Sequence, residues 1–173
     1  MEGLQHVIDF VIPGRPIAKG RPRFVTTAQK HSKQQKPKVR AVTPKRTREY
    51  EKFCGMCGQM AMRSAGYMQP LEGGISLQLL ALFARPKSIG RKHCLYQWPH
   101  RRPLVGGGGW PDLSNLVKAV EDGLQGVVYL DDNQIWETQA ARMYAGVTDQ
   151  PGVHVRVCRI STTGETQNDT EHR

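Results

Sequence analysis

The sequence lacks the features that mark membrane-spanning, exported and disulfide-stabilised proteins. No apolar run approaches the roughly 18 residues that a bilayer-spanning helix needs, so a spanning helix is excluded. The first residues contain no charged segment leading into an apolar one, and we expect no signal peptide. Four cysteines in a chain of 173 residues do not require a disulfide framework. We therefore expect a cytoplasmic protein that has no membrane partner.

Acidic residues are absent from residues 11–48, which hold 12 of the 25 lysines and arginines in a chain of formal net charge +10. A run of like charges is usually a solvated surface. Here the sign, the density and the lack of acids favour contact with nucleic-acid phosphates. A membrane surface is the alternative, but no amphipathic apolar face adjoins the run. The candidate DNA contacts are Arg15, Lys19, Arg21, Arg23, Lys45 and Arg46.

Apolar patterns predict a single domain over residues 1–160. Strands are predicted at residues 6–12, 75–84, 134–144 and 153–160. A first helix is predicted over residues 48–64, with Thr43 or Thr47 as its cap. A 3.6-residue apolar stripe predicts a second helix that begins after Asp112 and is ended by Gly126.

Three segments are predicted to be irregular. Residues 24–42 read as a basic mobile loop, residues 86–109 as a glycine-rich flexible loop, and residues 161–173 as a disordered tail. The four glycines at 106–109 would suit a phosphate-binding loop, but no Gly-Lys-Ser/Thr follows them. We therefore expect no nucleotide-binding loop there.

The second helix carries the candidate chemistry. Ser114, Lys118 and Asp122 are spaced by four and share the face opposite the apolar stripe. If the later Asp131-Asp132 pair folds back beside the helix start, Asp112 and Asp132 could bind one cation. Carboxylates are the ligands that Mg²⁺ and Mn²⁺ prefer, and Mg²⁺ needs only one or two of them.

Structural roles could also account for these residues. Asp112 could be only a helix cap, and residues 131–133 only a polar turn. Lys118 and Asp122 could form an exposed ion pair. Spacing alone leaves both interpretations open.

Longer motifs favour the catalytic interpretation. They are Pro111-Asp112-Leu113-x-Asn115-Leu116-x-Lys118 with Asp122, Asp131-Asp132-x-Gln134-Ile135, Pro16-x-x-Lys19-Gly20-Arg21-Pro22-Arg23, Thr43-Pro44 and Pro151-Gly152-Val153. This set resembles the RusA family of Holliday junction resolvases, across most of residues 7–160. The resemblance implies a mixed α/β (α+β) fold with a small mixed β-sheet and two main helices.

The resemblance also implies an activity and a site. The activity is nicking of four-way or branched DNA by a homodimer, symmetric and Mg²⁺- or Mn²⁺-dependent, in recombination and repair in a bacterial or phage-infected cell. By position, Asp112 and Asp132 would be metal ligands, Lys118 the essential lysine, and Asp131 a supporting acid. Lys118 would orient or neutralise the phosphate.

Ser114 departs from the family, which usually has an aspartate at this position. A hydroxyl contributes less to a divalent cation than a carboxylate does. Ser114 could bind the metal through a water, Asp131 could substitute, or the site could be weakened. Two alternatives to a resolvase therefore remain: a junction-binding protein with weakened catalysis, and a less selective nuclease that cuts flaps or other branched DNA.

Two weaker signals complete the sequence. Cys54 and Cys57 form a CxxC that His93 and Cys94 could complete as a zinc site, but small buried thiols are the favoured interpretation. Trp110 could stack on an unpaired base, although packing in the core or a loop is favoured.

Overall fold

The computed structural model describes residues 3–27, 38–85, 111–146 and 148–161. The elements follow the order β1 (Gly3–Pro13), β2 (Arg23–Thr27), β3 (Lys38–Val42), α1 (Lys45–Ser64), β4 (Gly74–Phe83), α2 (Leu113–Leu124), β5 (Ile135–Tyr144) and β6 (Gly152–Ser161). A 3-10 turn, Asp132–Gln134, precedes β5. No helix in these ranges is long and apolar enough to cross a membrane.

A four-stranded mixed sheet forms the centre of the domain. Its strand order is β1-β6-β4-β5, and only the β4–β5 pair is parallel. Two parallel neighbours need a crossover connection, and α2 lies in the connection between β4 and β5. The single α+β domain with a mixed sheet and two main helices is confirmed.

The core lies between the helices and one face of the sheet. Ile75, Leu77 and Leu79 of β4 belong to the same buried cluster as Tyr50 of α1 and Val120 of α2. Along β6, the valines at 153, 155 and 157 are buried, whereas the intervening residues 154 and 156 are exposed. This alternation was predicted from the sequence and leaves the opposite face of β6 open to solvent.

Glycines allow α1 and α2 to pack closely. A Cβ atom added at Gly123 would lie 2.6 Å from the carbonyl oxygen of Glu51, and one at Gly55 would lie 2.8 Å from the carbonyl oxygen of Gly123. A Cβ at Gly58 would lie 2.8 Å from Leu124 Cδ2. The Cys-Gly-Met-Cys-Gly stretch is therefore a helix-packing segment.

The cysteines of that stretch behave as small apolar residues. Cys54 is fully buried, and burial raises the pKa of its thiol to about 12. Cys57 is half-buried, and burial raises its pKa as well. Within the described ranges no group of three or more His, Cys, Asp and Glu side chains could hold a metal, while His93 and Cys94 lie outside those ranges.

The first helix begins earlier than predicted, at Lys45 rather than near residue 48. Pro44 occupies the cap position, where no side chain makes a capping hydrogen bond, so the prediction that Thr43 or Thr47 caps the helix is wrong. Thr47 lies inside the first turn, and its hydroxyl accepts a 3.0 Å hydrogen bond from the Gly20 N–H. That long-range contact explains why the threonine is not free to cap.

The basic loop predicted over residues 24–42 needs correction at both ends. β2 and β3 pair there as a separate two-stranded antiparallel sheet. Their alternation is hard to see in the sequence because arginines and lysines interrupt it. Residues 28–37, the predicted glycine-rich loop after Arg85 and the tail after Ser161 lie outside the described residues.

Phe83, Arg85 and Pro111 all contact residues at one end of β5. Ala145, just past β5, donates to the carbonyl oxygen of Phe83 at 2.8 Å, and its own carbonyl accepts from Arg85 Nε at 3.4 Å. Arg142, also near that end, donates to the carbonyl oxygen of Pro111. The described residues before position 86 and after position 110 therefore meet at the same strand end.

Candidate active site

The start of α2 is organised by Asp112. Its Oδ1 atom accepts from the Ser114 N–H at 3.1 Å and from the Ser114 hydroxyl at 3.0 Å. The predicted N-cap is confirmed, and the Asp112 side chain is exposed. Ser114 thus contacts Asp112 directly.

Lys118 is surrounded by carboxylates. Its Nζ atom lies 2.7 Å from Asp132 Oδ2, 3.5 Å from Asp122 Oδ1 and 3.8 Å from Glu121 Oε2. The hydrogen bond that Lys118 donates to Asp132 raises the pKa of Lys118, and the same bond lowers the pKa of Asp132. Both groups are therefore charged at neutral pH.

The acidic turn before β5 contacts the middle of α2 and the residue just past its end. Asp132 contacts Lys118, and Asp131 Oδ2 accepts from Gln125 Nε2 at 3.4 Å just past the helix. Asp112 lies at the start of the same helix, six residues before Lys118. The contact that the fold creates is therefore Asp132 with Lys118.

A capping box holds this turn. Asp131 Oδ1 accepts from the Asn133 N–H at 3.0 Å, and Gln134 Oε1 accepts from the Asp131 N–H at 3.0 Å. Gln134 Nε2 donates to the carbonyl oxygens of Leu71 at 2.9 Å and Gly73 at 3.1 Å. The turn carries Asp132, and the Asp-Asp-x-Gln motif fastens this turn to the segment before β4.

Sequence reasoning missed Glu121. Besides its ion pair with Lys118, its Oε1 atom accepts from the Thr138 hydroxyl at 3.5 Å. Burial raises the pKa of this carboxyl group. The available signal was its position three residues after Lys118, which places both side chains on one helix face.

Lys19 anchors the basic segment to α2. Its main-chain N–H donates to the carbonyl oxygen of Asn115 at 2.8 Å, and its ammonium group is paired with Asp122 Oδ2. Asp122 thus lies between Lys19 and Lys118. Lys19, a candidate DNA contact, is partly buried in this pairing.

The other candidate DNA contacts remain on the surface. Arg15, Arg21, Arg23 and Arg46 are exposed. Lys45 is exposed too, with a 3.7 Å ion pair to Glu49. Exposed cations beside the anchored segment can reach phosphates of a large polyanion.

Comparison with known proteins identifies the family. The family model described as endodeoxyribonuclease RusA matches residues 13–158, which include Asp112, Lys118 and Asp132. This chain belongs to the RusA endodeoxyribonuclease family. The chain is also similar to the uncharacterized protein YqaN of Bacillus subtilis (strain 168), with 24% identity over 160 residues that cover 89% of this chain and 97% of that protein.

The RusA-family resemblance drawn from the motifs is confirmed, and it raises the question of a metal. Asp112 and Asp132 offer carboxylate oxygens at accessible positions, which suits a hard cation. No three metal-ligating side chains cluster among the described residues, so a cation bound here would have few ligands from the protein. Mg²⁺ commonly takes one or two carboxylates and fills its other positions with water and phosphate oxygens, so the donors fit.

Proposed function

We propose that this RusA-family protein is an endonuclease that depends on a divalent metal and cuts four-way DNA junctions. The observation that carries the proposal is the 2.7 Å contact between Lys118 Nζ and Asp132 Oδ2, on the helix that Asp112 caps. The pair of Lys118 and Asp132 lies beside residues 11–48, a segment that is rich in cations and free of acids. Such an arrangement suits chemistry on a phosphate backbone.

Asp112 and Asp132 would hold Mg²⁺ or Mn²⁺ in this proposal. A divalent cation bound there supplies positive charge for the scissile phosphate and lowers the pKa of an attacking water. Lys118 orients the phosphate and neutralises the charge that develops on it, and Asp132 keeps the lysine protonated.

Ser114 and Asp131 receive supporting roles. The Ser114 hydroxyl is bound to one oxygen of Asp112, which leaves the other oxygen for a cation. Both oxygens of Asp131 accept hydrogen bonds from groups near the turn, so its carboxylate positions Asp132. The predicted metal set of Asp112, Ser114, Asp131 and Asp132 thereby reduces to two direct ligands.

The candidate DNA contacts divide into residues that bind phosphates directly and one residue that anchors the segment. Arg15, Arg21, Arg23, Lys45 and Arg46 would bind phosphates, which positions the DNA without reading its bases. Lys19 would act mainly as an anchor because Asp122 already pairs with it. Two symmetric nicks in a two-fold junction require two related sites, so the proposed enzyme is a homodimer, with a role in recombination and repair.

The experiment is a nicking assay on a synthetic four-way junction, a flap and a linear duplex, each with Mg²⁺, Mn²⁺ or EDTA. Asp112→Asn, Lys118→Met and Asp132→Asn should each abolish nicking of the junction but leave it bound. Glu72→Gln is the matched control, because Glu72 is an exposed acid outside the site. Unchanged nicking by Asp112→Asn together with Asp132→Asn would overturn the proposal.

Two other functions predict different results in that assay. Binding of the junction without nicking in either metal would favour a junction-binding protein with weakened catalysis, for which Ser114 is the supporting observation. Equal cleavage of flap, duplex and junction would favour a less selective nuclease.

A further inference from the structure

The β2–β3 hairpin is a ribbon that lies outside the main sheet. Its strands pair Arg23 with Val42 and Val25 with Arg40 in an antiparallel register. A two-stranded hairpin alone is at best marginally stable in water. The ribbon therefore depends on its anchors and on whatever covers it.

The register sorts the ribbon side chains onto two faces. Directly paired residues share a face, and faces alternate along a strand. Arg23, Val25 and Arg40 therefore lie on one face, and Phe24 and Val39 on the other. Phe24 is 76% exposed, Val39 62% and Val25 50%, so apolar groups face solvent on both sides.

The ribbon is held close to the candidate active site at the end where Arg23 pairs with Val42. β2 follows the segment that Lys19 fastens to α2, and the Gly20 N–H is bound to Thr47 of α1. A Cβ at Gly20 would lie 3.0 Å from Pro44 Cγ, so the segment is packed tightly against the start of α1. β3 runs directly into that same helix start. The ribbon is thus a fixed extension of the helices that build the site.

We propose that the β2–β3 ribbon binds a duplex arm of the DNA substrate, with the ribbon in a groove. A two-stranded ribbon fits the major groove. Arg23 and Arg40 then reach phosphates, while Phe24 packs on sugars or bases. This inference rests on the proposed function, since it takes DNA as the substrate.

The positive charge of the ribbon indicates that DNA is the molecule that binds it. The ribbon belongs to residues 11–48, which hold 12 basic residues and no acid. A second copy presenting the same surface would be repelled, whereas a phosphate backbone is attracted. Exposed apolar groups on so basic a surface match a nucleic acid, which offers apolar sugars and bases beside its charges.

The test measures binding of a four-way junction and of a linear duplex in EDTA, over a range of salt concentrations. Phe24→Ala should weaken binding about tenfold and leave the salt dependence unchanged, because it removes an apolar contact. Arg40→Ala should lower the slope of log K against log salt by about one, because it removes one phosphate contact. Met68→Ala is the control, since Met68 is exposed and lies outside the ribbon.

A second measurement guards against misfolded variants. Amide hydrogen exchange of the unaltered protein should slow in both ribbon strands when duplex DNA is added. Wild-type affinity in both variants, or ribbon exchange that DNA does not slow, would overturn the inference. If the unaltered protein bound no junction at all, the proposed function would fail instead, and the two failures are therefore distinguishable.

Discussion

Lys118 is the residue on which the site converges, because carboxylates from α2 and from the turn before β5 surround its ammonium group. Two of these acids, Asp132 and Glu121, have opposite environments. Asp132 is accessible and ionises easily, whereas burial disfavours the charged form of Glu121. Opposite electrostatic effects therefore act on two acids that contact the same lysine.

These opposite effects predict opposite changes in stability. The pKa of Glu121 is raised above 4.5 in the folded protein, so its ionisation lowers stability as the pH rises from 4.5 through that raised value. Glu121→Gln should be more stable than the wild type at pH 7, and the difference should vanish below about pH 4. Urea unfolding at both pH values measures it.

Asp132→Asn provides the matched contrast. The pKa of Asp132 is lowered from 3.8, so its stabilising contribution is present above that value and disappears as the pH falls through the folded pKa. The variant should be less stable than the wild type at pH 7 and equal to it in strong acid. Equal pH profiles for the two variants would contradict this electrostatic account.

Ser114 offers a gain-of-function test. Ser114→Asp adds a carboxylate beside Asp112, and it should lower the Mg²⁺ concentration needed for half-maximal nicking on the order of tenfold, because added ligand charge tightens cation binding. Ser114→Asn, similar in size but uncharged, is the control. A metal requirement that is the same in both variants would mean that position 114 does not face the cation.

At the scale of elements, the contact between α1 and α2 depends on glycines that meet backbone atoms. Gly123→Ala should destabilise the domain by about 1–3 kcal/mol, because its Cβ would overlap the carbonyl oxygen of Glu51 at 2.6 Å. In a helix without such a contact, alanine is more stabilising than glycine by up to about 1 kcal/mol. A loss of stability in the variant would therefore show that the clash between the helices outweighs this preference. Gln59→Ala, exposed on α1, is the control, with urea midpoints as the readout.

Elements with strong periodicity could be predicted from the sequence. β4, β6 and α2 lie within two residues of their predicted ends because an apolar alternation or stripe marks each one. The ribbon strands were missed because cations hide their alternation. The start of α1 was misplaced because Pro44 and the contact between Thr47 and Gly20 decide it.

The site was only partly predictable for a related reason. The cap at Asp112 is local, so the sequence contains it. The pairing of Asp132 with the middle of α2 depends on where Gln134 ties the turn, and the anchoring of Lys19 by Asp122 joins residues far apart in the chain. Such tertiary contacts leave no periodic signal.

At the scale of the whole molecule, the paired nicking that we propose requires two copies of the chain. We expect a particle of twice the 19.4 kDa chain mass in solution by light scattering.

On a plasmid with a cruciform, the wild type should yield linear DNA. An equal mixture of wild type and Asp132→Asn should accumulate nicked circles, because mixed dimers hold one active site. Linear product in proportion to the wild-type share alone would indicate independent monomers.

Arg85 and Pro111, the residues on either side of the connection at 86–110, both contact residues at one end of β5. A longer or shorter connection between them changes the entropic penalty of closing it only logarithmically. Residues added to or removed from that connection should therefore leave the lysine and its acids in place.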